Sequence, residues 1–317
     1  MQMDKAAQKS AWDAFCDYIA GYAHRDDFVL VVPDDGFDTD IGDIVPREKI
    51  FFSVSEPDAI LNAAGLVLAG KRPWIAGNCS RLVSRCYGQI REALAVPSLS
   101  VRIAAADGGL SRGPEGVSSL IIEDIALMRA MPNMSIFVPS DDRSVREVSK
   151  AADLVDGPVY IRLGYTPVSP IETDSEDFDP CYHGGARLLK IGSGVTICTC
   201  GIMVDNALAA ADILEQQGIS AEVIECYSIK PFPEQIVLSS VRRTGCCVVA
   251  EEHGCIGGLG GATAECLCRT YPVPVRFVSV EDQFIDSGTP EELREYYGLT
   301  WKEIVGAAAQ AWALRRR

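Results

Sequence analysis

Residues 53–70 read SVSEPDAILNAAGLVLAG, and the parsing of this stretch decides the fold. Ile60, Ala63, Ala64, Val67 and Leu68 recur at three- and four-residue spacing, which lays one apolar stripe along a helix. Ser55 is placed to cap the first turn, with Asp58 three residues on and Pro57 where a missing N–H costs nothing. Residues 50–54 before it read as a strand, so Glu56 stands at the mouth of a buried helix just after a strand. A carboxylate there can simply complement the positive end of the helix dipole.

The same alternation extends along the chain. Residues 4–24 read as a helix and 27–33 (DFVLVVP) as a buried parallel strand, followed by the polar loop DDGFDTDIGD at the strand's carboxyl end, where α/β proteins place ligands. Beyond the Glu56 helix come a strand at 73–76, a helix over 78–96, a strand at 100–105 and the glycine-rich loop ADGGLSRGPEG. That loop lacks GxGxxG spacing, so its glycines mark close backbone approach and unusual dihedrals rather than a phosphate cradle. A helix interrupted by Pro132, a strand at 135–138, a helix over 142–155 and the strand PVYIRLG complete a parallel sheet with helices on both faces. A linker without periodicity follows (SPIETDSEDFDPCYH), and the pattern then restarts: strands at 194–200, 221–226, 246–250 and 275–280, helices at 204–217, 232–241 and 258–271, and a terminal helical segment. The expected architecture is α/β with two domains, each a mainly parallel sheet with helices on both faces, over residues 1–168 and 184–317 with a linker at 169–183.

The totals agree with this. With 317 residues and 48% hydrophobic content the chain can fill two cores, and no apolar run reaches membrane-spanning length. A formal charge of −15 spread along the chain argues against nucleic-acid binding. The opening residues lack the pattern of a signal peptide, so a cytoplasmic location is expected. None of the 12 cysteines forms a CxxC pair, and several sit in apolar runs (VTICTCG, GCCVVAEE, AECLCRTY), as buried thiols in a reducing compartment do.

The stretches IFFSVSEPDAILNAAGLVLAGK, EDIALMRAMPNMSIFVPSD, GIMVDNALAAADILEQQGISAEVIECYSIKPFP and AEEHGCIGGLGGATAE together resemble the transketolase family over nearly the whole chain. The resemblance implies a pyrimidine-binding domain, residues 1–168, and a transketolase C-terminal domain, residues 184–317. It puts Glu56 on the family's catalytic glutamate, which holds a proton against the aminopyrimidine ring of thiamine diphosphate. That chemistry requires a carboxylic acid in a dry pocket. The family's GDG motif and the asparagine some thirty residues later, which hold the diphosphate through Mg²⁺, are missing; Asp107-Gly108-Gly109 is the wrong order in the wrong domain. The resemblance therefore implies half of a split transketolase, with no metal ligands of its own, working with an N-terminal-section (diphosphate-binding) subunit in a heterotetramer and binding the coenzyme feebly alone.

By the same resemblance Asp35, Asn78 and Arg81 fall on cofactor positions, with Asn78 and Arg81 standing where relatives place stacking aromatics. Asp107 and Ser119 replace two histidines around the donor sugar's hydroxyls, and Glu115 and Thr39 fall on substrate positions. Arg162 falls on an arginine that grips a substrate phosphate, the reading preferred here over the alternative of a strand-end salt bridge. Asp35 and Thr39 also read as a solvated acidic loop, and His253 as a histidine packed at a strand end. The implied activity is transfer of a two-carbon ketol unit between phosphorylated or otherwise anionic sugars. Two alternatives stand beside it: a related thiamine enzyme, such as 1-deoxyxylulose-5-phosphate synthase or a keto-acid dehydrogenase β subunit, and a degenerate structural or regulatory subunit.

Overall fold

A computed structural model describes residues 9–33, 41–171 and 185–315. The helix α1 (Ala11–Tyr22) leads into β1 (Phe28–Pro33), α2 (Ile41–Ile44), β2 (Ile50–Ser53), α3 (Glu56–Leu68), β3 (Arg72–Asn78), α4 (Cys79–Gln89) and β4 (Arg102–Ala106). Then come α5 (Asp124–Arg129), β5 (Ser135–Phe137), α6 (Asp142–Ala152) and β6 (Val159–Leu163). The second half runs β7 (Arg187–Lys190), β8 (Val195–Thr199), α7 (Met203–Gln216), β9 (Ala221–Glu225), β10 (Ser228–Lys230), α8 (Glu234–Thr244), β11 (Cys247–Gly254), α9 (Leu259–Thr270), β12 (Val275–Val280), α10 (Pro290–Tyr296) and α11 (Trp301–Leu314).

Among the described residues the strands form a seven-stranded sheet, ordered β10-β5-β6-β4-β3-β1-β2, and a five-stranded sheet, ordered β12-β11-β8-β9-β7. Both are parallel apart from one antiparallel edge strand each, β10 on β5 and β7 on β9. Parallel strands are stable only with both faces covered, and the central β4 and β6 are buried at every position. The edge strand β10 belongs to the second half of the chain yet completes the sheet of the first. One apolar cluster accordingly runs through both halves, from Ile60 and Ile103 to Ile136, Ile229 and Val249.

The decisive stretch folds as its pattern dictates. The Ser55 side chain accepts the Asp58 N–H at 3.4 Å and the Asp58 carboxylate accepts that of Val54 at 3.2 Å, an arrangement worth about 1 kcal/mol. Ala59, Ile60, Ala63 and Ala64 face the core. The stripe ends there: Leu68, expected to be inside, is 77% exposed.

Other departures are local. The first helix starts at Ala11, and the helix expected over 78–96 changes to a π-helical turn at Ile90–Ala95. Strands β7 and β10 were not foreseen; three or four residues carry no readable period. The glycine-rich loop holds a short 3-10 turn, Gly113–Glu115, and is clasped by the second half: the Gly288 N–H donates to the Gly113 carbonyl at 3.2 Å. A methyl group on Gly113 would overlap the Gly288 carbonyl oxygen, so no larger residue fits. Among the described cysteines all are free thiols, and all but Cys255 and Cys268 are buried. Among the described residues no helix is long and apolar enough to cross a membrane.

Candidate active site

The parallel strands β2, β1, β3 and β4 end on one rim, and the groups expected to do chemistry follow their carboxyl ends. Glu56 is the first residue of α3 and only 4% exposed. Its Oε1 lies 3.7 Å from the Arg85 guanidinium, which reaches over from α4. Burial, reinforced by the nearby Glu56 carboxylate, pushes the Cys86 thiol up to about 12. Several apolar residues close to Glu56 in the chain are exposed. Phe51, Phe52 and Leu61 are exposed and Val54 is 83% exposed, with the Arg47 guanidinium 4.1 Å from the Phe52 ring centroid.

Asn78 closes β3 and caps α4, its Oδ1 accepting the Arg81 N–H at 3.2 Å and the Ser80 hydroxyl at 2.9 Å. Its Nδ2 donates to Asp107 Oδ2 at 3.0 Å. Asp107 follows β4, is almost fully buried, and has φ of +63°, a conformation that costs a non-glycine residue about 1–3 kcal/mol and clusters at functional sites. Burial raises the Asp107 pKa, and the bond and charge of Arg112 oppose that rise. Arg112 Nε is 2.8 Å from Asp107 Oδ2, and its Nη1 donates to Glu115 Oε1 at 2.6 Å. Burial works against the Arg112 cation, but the bonds to Glu115 and Asp107 outweigh it and hold the guanidinium charged. The bond from Arg112, supported by one from Ser119, holds the half-exposed Glu115 below the usual carboxylate range. Asn78, Asp107, Glu115 and Ser119 are thus joined into one chain of contacts, with Arg81 acting on Glu115 by its charge. Asp35 and Thr39 lie outside the described residues.

Arg162 is the exception. Expected to grip an anionic substrate, it is buried on β6 with Nε 3.0 Å from Asp124 Oδ2 and Nη2 donating to the Glu252 carbonyl at 2.8 Å. Tyr160 donates to the same Asp124 oxygen at 2.6 Å, and the Cys79 thiol lies 2.9 Å from the Tyr160 hydroxyl. The Glu252 carboxylate is 3.6 Å from Arg294. The strand-end ion pair with Asp124 is therefore the reading the geometry supports, and the bond from Arg162 to the Glu252 carbonyl ties the first half to the second. Among the described residues Arg162 borders a cavity of about 30 Å³ shared with Gly108, Ser111 and Glu252, room for a water molecule rather than a phosphate. His253 is likewise structural: it is fully buried and its Nε2 accepts the Ala126 N–H at 3.3 Å.

Sequence reasoning overlooked Arg112 and Arg85. Arg112 carries a weak signal, a cation three residues before Glu115 inside the glycine-rich loop; Arg85 lies on the exposed face of a helix and carries none.

Comparison with known proteins gives a consistent result. The family model for the transketolase pyrimidine binding domain matches residues 13–166, and that for the transketolase C-terminal domain matches residues 184–304. The 6-deoxy-6-sulfo-D-fructose transketolase subunit SqwH of Clostridium sp. strain MSTE9 is 37% identical over 93% of this chain and 92% of its own length. An apulose-4-phosphate transketolase subunit of Phocaeicola vulgatus is 32% identical over 94% of this chain and 96% of its own. A solved structure described as a split gene transketolase, inactive beta4 tetramer, superposes with a TM-score of 0.85 at 35% identity, covering 97% of this chain and 99% of that one.

Proposed function

We propose, because this chain belongs to the transketolase family, that it is one subunit of a split thiamine diphosphate enzyme transferring a two-carbon ketol unit between anionic sugars. The observation that carries the reading is the burial of Glu56 at the carboxyl rim, on a face whose apolar residues a second chain would cover. The residues present fit the pyrimidine end of the coenzyme: a shielded acid on the first turn of α3 and, beside it, the polar group Asn78–Asp107. Mg²⁺ and the diphosphate are assigned to an N-terminal-section subunit, because this sequence lacks the GDG motif that holds them in the family.

When bound, thiamine diphosphate supplies the nucleophilic carbon that accepts and releases the ketol unit. This chain's part is to place groups around it. Glu56 holds a proton at the N1′ edge of the pyrimidine; a carboxyl withdrawn from water shares a proton with a ring nitrogen more readily than one in bulk solvent. Asn78 and Arg81 flank the ring without stacking on it, and Asp35 is assigned with them. Asp107, Ser119 and Thr39 contact sugar hydroxyls. The full enzyme is a heterotetramer of this chain with its partner, and an assembly of this chain by itself is inactive, as is the solved split gene transketolase beta4 tetramer.

The test is Glu56→Gln in the reconstituted pair, with ketol transfer and coenzyme binding measured separately. Loss of a positioned acid–base group costs about 10²- to 10⁴-fold in rate, with the coenzyme still bound. Transfer at the unaltered rate would overturn the mechanism. Micromolar coenzyme binding by this chain alone would contradict the division of labour.

A further inference from the structure

With Arg162 enclosed, a candidate cation for a substrate on this rim is Arg112, and the way it is held suggests how. Its Nε is fixed to the buried Asp107, itself fixed by Asn78. Its Nη1 is bonded to Glu115, which stands half in solvent, and Nη2 makes no hydrogen bond among the described residues. The two carboxylates are thus unequal partners. The Asp107 bond is enclosed and holds the guanidinium plane in one orientation. The Glu115 bond is an exposed ion pair, of the kind worth about 0.2–1 kcal/mol and easily exchanged. An incoming tetrahedral anion offers two oxygens to the Nη1–Nη2 edge where Glu115 offers one bond, and guanidinium favours such paired contact. Arg81 and Arg85 on the adjoining α4 add positive charge to this rim of a chain whose net charge is −15.

We propose that Glu115 is a placeholder on Arg112: its carboxylate occupies the position that the anionic end of the sugar takes on binding, and it swings into solvent when the sugar's phosphate or sulfonate arrives. The inference deepens the proposed function and rests on it for the site's purpose. It reverses the role expected of Glu115, which competes with the substrate instead of contacting its hydroxyls. The loop can spare Glu115 without unfolding, because Gly113 is anchored separately through Gly288.

The prediction is a pair of opposite effects. Inorganic sulfate is titrated by calorimetry into the assembled enzyme and its Glu115→Gln, Arg112→Gln and Arg112→Lys variants. Donor KM is measured for fructose 6-phosphate and for uncharged erythrulose with glycolaldehyde as acceptor. Glu115→Gln binds sulfate more tightly, by up to about fivefold, and lowers the KM ratio of the charged to the uncharged donor. Arg112→Gln weakens sulfate by about tenfold or more and raises that ratio. Arg112→Lys, which keeps a cation on Asp107 but lacks the planar edge, falls between. Weaker sulfate binding in Glu115→Gln, or sulfate binding unmoved in Arg112→Gln, overturns the proposal. An unmodified enzyme that moves no ketol unit from either donor refutes the functional reading instead, while the sulfate titrations still decide the placeholder.

Discussion

Replacing Arg162 separates an anion-gripping arginine from a structural one. In the folded chain its guanidinium faces Asp124 and the Glu252 carbonyl, and both it and Asp124 are buried. Arg162→Met therefore strands a buried carboxylate and a buried carbonyl, and breaking one side of such a pair costs about 3–5 kcal/mol. At about 2–4 °C per kcal/mol for domains of this size, the melting midpoint should fall by about 6–20 °C, read by calorimetry or far-UV circular dichroism. Arg162→Lys keeps the charge but not the second bond and should lose only part of this. Arg162→Met combined with Asp124→Asn should recover part of the loss, since the stranded charge is gone while Tyr160 retains an acceptor. A melting point within a degree of the original, together with a raised KM for anionic donors, would refute the structural assignment and return Arg162 to the substrate.

Two more outcomes follow from the packing between the halves. Asp141 caps α6 and pairs with the buried Arg187 at 3.0 Å; burial alone would raise its pKa, but Arg187 and the Ser144 N–H outweigh it and hold the carboxyl below its usual range. Its folded pKa lies under the unfolded value, so its contribution is complete above about pH 4 and is lost as pH falls through the folded value; Asp141→Asn should cost about 1–3 kcal/mol in urea unfolding at pH 7, and a gap that fails to narrow at pH 3 would be inconsistent with this account. Gly109 has φ of +69° and an added methyl would overlap the Glu252 carboxylate, so Gly109→Ala should destabilise by about 1–3 kcal/mol, with a melting point equal to that of the unaltered protein as the contrary result.

Much of this was legible in the chain, for identifiable reasons. The Ser55 cap and the strand–helix alternation are written in residues a few positions apart, where local rules hold. Strands β7 and β10 were not readable, because their place depends on partners far off in sequence. The rim is divided in the same way. Glu56 could be singled out because a helix start and a preceding strand fix where it stands. Arg162 was open to two readings because its partners Asp124 and Glu252 come from other segments, and only the folded chain shows them meeting. Leu68 was misplaced since periodicity tells which face a residue lies on but not whether another element covers it.

The crossing of β10 into the first sheet limits how this gene can be divided. Cutting the polypeptide between its halves would strip β10 from one side of β5, leaving a bare strand margin prone to pairing with other chains. A break between the halves leaves the first sheet without its β10 edge, while the five strands of the second sheet stay together on one fragment. Anyone building a shortened or permuted version should therefore carry residues 228–230 along with the N-terminal half.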